Sequence, residues 1–430
     1  MPQTVTFLPQ QPLIHRTVLD NGIVVLAIEN SAADIIATRL FIRAGSQWEP
    51  REKAGLSHLL SAVITKGTEQ LSSVEIAERI ESVGANLSAD TATDYFLLSL
   101  KTVSTDWPEM LQLAGQMLLH PSFPEEEVEL ERYLAIQDIR SQKEQPFTIA
   151  FDQLRQAMYQ EHPYSLSILG TEATVSELGR ADLESYHQTH FRPDNMVISV
   201  VGRVTPEEAV AQVERVFGAW HSPEAPLLTQ QLPSITSQPL QVMTAQETQQ
   251  SIVMLGYLAS PLYHADYTTL KLLNTYLGNG LSSRLFVELR EKRGLAYDVS
   301  AFYPTRKSAS TFVVYMGTAP ENTETAILGL RKEIDRLCST LLSHEELQAA
   351  KNKLLGQYAL GKQTNAQLAQ VYGWYETLGL GIEFDTQFQQ DVISITPEIA
   401  QAVATRYFTE PYISLVGPAE AINPLATPMV

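Results

Sequence analysis

The stretch Leu71-Ser72-Ser73, with Glu78, Glu81 and Gly84 behind it, returns as Leu281-Ser282-Ser283, with Glu288, Glu291 and Gly294 behind it. All of these residues share the displacement of 210 positions that carries Leu71 to Leu281. Ser88-Ala89 returns as Ser300-Ala301, two positions further along. A β-branched run closed by glycine ends each copy: Val197-Ile198-Ser199-Val200-Val201-Gly202 and Ile413-Ser414-Leu415-Val416-Gly417. Solenoid units repeat about every 20–50 residues. This period is the size of a whole domain, so the chain reads as one fold written twice.

Each copy shows the same coarse order. Strands are expected over about 17–29 and 35–44, then 240–245 and 250–258. Helices are expected over about 53–66 and 73–83, then 266–277 and 282–292. Alternating apolar runs such as Tyr95–Leu100 and Thr311–Met316 read as further strands, followed by long helices and the closing strand. Pro124-Glu125-Glu126-Glu127 carries the proline and acids of a helix start. Strand blocks separated by helix blocks imply an α+β fold. The expected organisation is a domain over 1–218, a linker over 219–239 and a second domain over 240–430. The linker carries Pro223, Pro226, Pro233 and Pro239 and no periodicity.

The 30 Lys and Arg against 49 Asp and Glu give a net charge of -19, which argues against nucleic-acid binding. The single cysteine, Cys338, excludes an internal disulfide and any cysteine-rich zinc site, and reads as a small core residue. No apolar run approaches the roughly 18 residues of a membrane span. Met1-Pro2-Gln3-Thr4 lacks the start of a signal peptide, so a cytoplasmic protein is expected. His187 and His190 lack the acid of a metal motif, and Gly278-Asn279-Gly280 reads as a turn.

Arg43-Ala44-Gly45-Ser46-Gln47-Trp48-Glu49 leads into Ala54-Gly55-Leu56-Ser57-His58-Leu59-Leu60-Ser61-Ala62 and then Lys66-Gly67-Thr68. With Gly84-Ala85, His162-Pro163-Tyr164, Leu169-Gly170-Thr171 and Phe191-Arg192-Pro193-Asp194-Asn195, this resembles the pitrilysin/insulinase family of zinc peptidases, which includes the mitochondrial processing peptidase. The resemblance spans nearly the whole chain. It implies two homologous domains related by a pseudo-two-fold axis, each a sheet packed on helices, together enclosing half of a chamber.

The family's zinc motif is H-x-x-E-H on a helix, where residues i and i+4 share a face and bind one metal. Here only His58 remains; Ser61 stands at the general base and Ala62 at the second ligand. Asp138 matches the third ligand, one methylene short, and Glu131 matches a supporting acid. One imidazole and one carboxylate are too few for a three-ligand site, so no metal is expected on this chain. The family's Arg/Tyr element is intact as Arg290 and Tyr297. Its forked donors and neutral hydroxyl suit a peptide carbonyl and the oxyanion derived from it. The substrate-pairing edge strand matches Ser88-Ala89, where the family commonly has Asn-Ala.

A ruined zinc half beside an intact Arg/Tyr half implies the non-catalytic subunit of a heterodimeric zinc peptidase. The partner would carry H-x-x-E-H and the zinc, and a homodimer stays open for the chain in isolation. A second implication stays open: some relatives, such as the core subunits of respiratory bc1 complexes, have become structural, and a chamber without metal can hold peptides uncut.

Overall fold

The computed structural model describes residues 12–227 and 232–425. Six strands form the first sheet: β1 (His15–Val18), β2 (Val24–Glu29), β3 (Ile35–Ile42), β4 (Asn86–Thr91), β5 (Phe96–Val103) and β6 (Met196–Gly202). Five form the second: β7 (Gln241–Ala245), β8 (Ser251–Ala259), β9 (Asp298–Phe302), β10 (Ser310–Thr318) and β11 (Tyr412–Gly417). The spatial orders are β1-β2-β6-β3-β5-β4 and β7-β11-β8-β10-β9. Apart from β1, the two sheets superpose strand for strand. The single parallel pair recurs as β2 with β6 and β7 with β11, and every other neighbour is antiparallel. The duplication read from the sequence is a duplication of topology. It places Ser88 and Ser300 on equivalent edge strands, β4 and β9.

The first half adds α1 (Leu56–Val63), α2 (Ser73–Ser82), α3 (Trp107–Leu119), α4 (Glu125–Lys143), α5 (Pro146–Tyr159), α6 (Glu172–Ser176), α7 (Arg180–His190) and α8 (Pro206–Phe217). The second adds α9 (Tyr267–Gly278), α10 (Thr323–Ser339), α11 (His344–Leu360), α12 (Asn365–Thr377), α13 (Phe384–Ser394), α14 (Pro397–Tyr407) and α15 (Ala419–Ile422). Their starts follow local chemistry: Ser72, Thr205, Ser343 and Thr364 each cap a helix through a side-chain oxygen.

The inner strands β3, β6, β8, β10 and β11 are buried on both faces, and the reason is an exchange of helices. One face of the first sheet packs on the helices of its own half, with Leu40, Ile42 and Ile198 against Leu60 and Leu111. The other face, carrying Phe41, Val197 and Val201, is covered by Tyr372 and Tyr375 of α12 from the second half. Reciprocally, α5 leaves the first half and lays Ala150, Leu154 and Met158 on Met254, Val313 and Val416 of the second sheet. Polar ties seal both contacts. Asn30 Nδ2 donates to Asn365 Oδ1 at 2.7 Å, and Arg16 pairs with Glu376 at 2.8 Å. Ser414 Oγ donates to the Ala150 carbonyl at 2.7 Å. Two-sided burial explains why β6 and β11 read as near-continuous apolar runs rather than alternating ones.

Residues 219–227 and 232–240 form neither helix nor strand, and 228–231 of the expected linker lie outside the described residues. The helix expected over 282–292 is instead a π-type turn over Phe286–Glu291, closed by Lys292 N–H on the Val287 carbonyl. The widened turn keeps Leu285 and Leu289 fully buried while Arg284 reaches Glu333 and Glu288.

Candidate functional site

Helix α1 is held at its N-terminus by Glu49. Its carboxylate accepts from Gly55 N–H at 2.8 Å, from Ser57 N–H at 2.7 Å and from the Ser57 hydroxyl. Glu49 is 5% exposed and makes no ion pair among the described residues, and burial pushes its carboxyl up to about 7 against the pull of those hydrogen bonds. The Leu169-Gly170 landmark packs against the same corner. A Cβ on Gly170 would stand 2.1 Å from the Ala54 carbonyl oxygen, so only glycine fits.

From this fixed start α1 presents His58, Ser61 and Ala62. His58 is half-buried; burial lowers its pKa, while Asp90, Asp138 and Glu131 pull the other way. Ser61 is buried and its hydroxyl turns back to the His58 carbonyl at 2.7 Å. Glu131 is engaged by Lys66 at 2.9 Å, and Asp138 is exposed. The structure therefore places these residues on α1 and α4, but not as a ligand set. Among the described residues no three His, Cys, Asp or Glu side chains converge to hold a metal. The groups present do not fit a zinc ion: Ala62 offers no donor, Ser61 is spent on the backbone, and a lysine takes Glu131.

Ser88 and Ala89 lie on β4, the free edge of the first sheet, with Ser88 exposed and Ala89 turned toward the core. The outer backbone of this strand is open to an added strand. Arg290 lies within the π-type turn and Tyr297 follows six residues after its last residue, Glu291. Arg290 is exposed and stacks over the Phe286 ring at 4.8 Å, without an ion pair among the described residues. Tyr297 is 64% exposed; its backbone N–H donates to the Gly317 carbonyl at 2.9 Å, and its hydroxyl has no hydrogen-bond partner among the described residues. The Thr318 hydroxyl holds the Leu295 carbonyl at 2.6 Å and fixes the approach to Tyr297. Both side chains are thus presented and unspent.

The remaining landmarks are scaffolding. Tyr164 donates to buried Asp94 at 2.8 Å, and Arg192 forks onto Asp194 at 2.6 and 2.8 Å. His187 is tied to the Leu118 carbonyl at 2.8 Å, and burial takes His190 down to about 4. Glu49 was legible only as part of a motif, because its role depends on a turn that brings residue 49 onto residues 55 and 57.

Two family descriptions match in tandem: Insulinase (Peptidase family M16) over residues 24–172 and Peptidase M16 inactive domain over residues 177–354. The chain is 26% identical over 415 residues to the uncharacterized zinc protease YmxG of Bacillus subtilis, spanning 95% of this chain and 99% of that one. It is 27% identical over 412 residues to an uncharacterized zinc protease of Streptomyces coelicolor, spanning 94% and 90%. In fold it matches the crystal structure of a peptidase M16 inactive domain from Pseudomonas fluorescens, with a TM-score of 0.88 at 23% identity over 94% of this chain and 98% of that one. A protease from Helicobacter pylori matches with a TM-score of 0.87 at 21% identity, over 95% and 100%. The chain belongs to the insulinase-like peptidase family, with two family units in tandem.

Proposed function

We propose that this chain is the non-catalytic, peptide-binding subunit of a heterodimeric zinc-dependent peptidase. The observation that carries the reading is an asymmetry between the halves. In the first, Ser61 and Ala62 leave no base and no second ligand, and Ser61 is bonded to its own helix. In the second, Arg290 and Tyr297 are exposed and, among the described residues, have no ion pair or hydroxyl partner. A subunit that only built structure would have no use for an unspent guanidinium and phenol seven residues apart.

In this reading a homologous partner bearing H-x-x-E-H supplies zinc and base. This chain supplies Arg290 and Tyr297, which hold the substrate carbonyl and the charge that develops on it. The open edge of β4, with Ser88 and Ala89, pairs with substrate backbone. We place the complex in the cytoplasm; among the described residues no helix is long and apolar enough to cross a membrane.

The test is a pull-down from native cells followed by reconstitution. Recovery of an H-x-x-E-H chain whose peptidase activity appears only on mixing supports the proposal. A stable complex that cleaves nothing, with or without such a chain, favours a purely structural or peptide-holding role.

A further inference from the structure

One helical turn beyond Asp138, α4 reaches a cavity of about 380 Å3 that it shares with α5 and the loop over 165–171. That volume lies at the small end of ligand sites, which run on the order of 300–1,000 Å3. The charged groups on its wall are Arg51, Lys143 and Arg155 against a single carboxylate, Asp152. A cationic hollow is conspicuous in a chain of net charge -19.

Arg155 decides what the cavity takes. Its side chain is 13% exposed, yet among the described residues the guanidinium makes one hydrogen bond, to Asp152 Oδ1 at 2.8 Å. Its Nε–H is buried without an acceptor among those residues. Arg192 is an internal comparison. Also buried, at 6%, it spends Nε and both terminal nitrogens on Asp194 and the carbonyls of Ala225 and Pro223. A guanidinium carries five donors and does not lose its proton, so a buried one with a single bond is under-satisfied. Arg306 from the second half adds positive charge near Arg155. Also on the wall, Arg51 commits one terminal nitrogen among the described residues, to the carbonyls of Gln160 and Glu161, to Ser165 and, at 3.9 Å, to the exposed Glu161 carboxylate. Lys143 is less available, being paired with Glu172 at 2.8 Å. Ile139, Ile149 and Leu169 give the wall an apolar part.

We propose that this cavity is a subsite for an acidic side chain of a bound peptide, with Arg155 and Arg51 receiving the carboxylate and the isoleucines and Leu169 flanking its methylenes. The apolar wall and the position beside α4 favour a side chain over a free inorganic anion. The inference rests on the peptide-binding reading above.

The experiment measures binding of short labelled peptides, matched except for Glu or Gln at one position, to the full-length chain at fixed ionic strength. The Glu peptide should bind about 10-fold more tightly or better. Arg155→Gln and Arg51→Gln should each erase that preference and leave the Gln peptide unaffected. Asp152→Asn, which removes the competing carboxylate, should strengthen binding of the Glu peptide; this variant and the rim substitution Arg51→Gln keep the test open if Arg155→Gln does not fold. Equal binding of the two peptides overturns the subsite and leaves peptide binding standing. No binding of either peptide overturns both. Acetate or phosphate displacing neither peptide, or displacing both alike, overturns the role of the cavity as well.

Discussion

Gly373 of α12 lies so close to Phe41 of β3 that a Cβ there would stand 2.4 Å from the ring carbon Cε2. The two residues come from opposite halves, and this contact sets how deeply α12 seats on the first sheet.

Gly373→Ala should therefore destabilise the protein. Alanine is favoured over glycine in a helix by about 1 kcal/mol. Overpacking a closed contact costs about 1–3 kcal/mol, and Ser199 Cβ on the neighbouring strand, at 3.0 Å, crowds the same spot. The clash should win, with a lower urea midpoint. A raised midpoint would show that the interface between the halves yields more than its burial implies.

The isolated chain should hold zinc weakly and cleave no peptide. Ser61→Glu with Ala62→His should add zinc binding, read by metal analysis after dialysis. Activity should stay absent, because Asp138 is short and exposed and Glu131 remains paired with Lys66. Tight, stoichiometric zinc in the unaltered protein would contradict the description of α1.

In a reconstituted pair, Tyr297→Phe should lower kcat by on the order of 10-fold to 1,000-fold, the range for losing an oxyanion donor. A rise in KM with kcat unchanged would assign the hydroxyl to ground-state binding instead. Arg290→Ala should weaken peptide binding. Both side chains are exposed, so assembly on gel filtration should be unchanged. Full activity of both variants would leave the Arg/Tyr element without an active-site role.

Glu49 should make stability depend on pH near neutrality. Its carboxyl is raised from 4.5 to about 7, so the folded state binds the proton more tightly than the unfolded state. That contribution is complete below about pH 4.5 and is lost as pH rises through about 7. It amounts to roughly 3 kcal/mol at most. Melting temperature, taken relative to Glu49→Gln, should fall between pH 5 and pH 8. A constant difference across that range would mean that the three hydrogen bonds at the start of α1 keep Glu49 ionised throughout.

Limited proteolysis should nick the segment over 219–239, which contains no Lys or Arg and calls for a protease of broad specificity. The two fragments should co-elute under native conditions, since α5 and α12 each remain seated on the opposite half. Fragments that separate on gel filtration would contradict the exchange.

Much of this architecture was legible in the chain. Strands such as Phe96–Val103 and Ser310–Thr318 announce themselves by apolar runs, and the shared offset of Leu71 and Leu281 exposes the duplication. The loss at Ser61 and Ala62 is visible by inspection. What stayed hidden is non-local. Nothing in Pro146–Tyr159 says that its apolar face belongs to a sheet made of residues 241–417. The π-type turn at Phe286–Glu291 arises from tertiary anchors on Arg284, which a helical pattern cannot reveal. The hollow around Arg155 depends on α4, α5 and a distant loop converging.

The exchanged helices also bear on how the protein is born. When the first half leaves the ribosome, Leu154 and Met158 of α5 have no sheet to cover, because Tyr412–Gly417 is made more than 250 residues later. The outer face of the first sheet, with Phe41 and Val197, likewise waits for α12. Neither half can finish alone, so the nascent chain carries two sticky surfaces until its second half has been made. Each surface is the complement of the same late segments in any neighbouring copy. Correct folding is thus a race between the chain's own second half and that of another molecule, and a short tether between the halves is what lets the chain's own half arrive first.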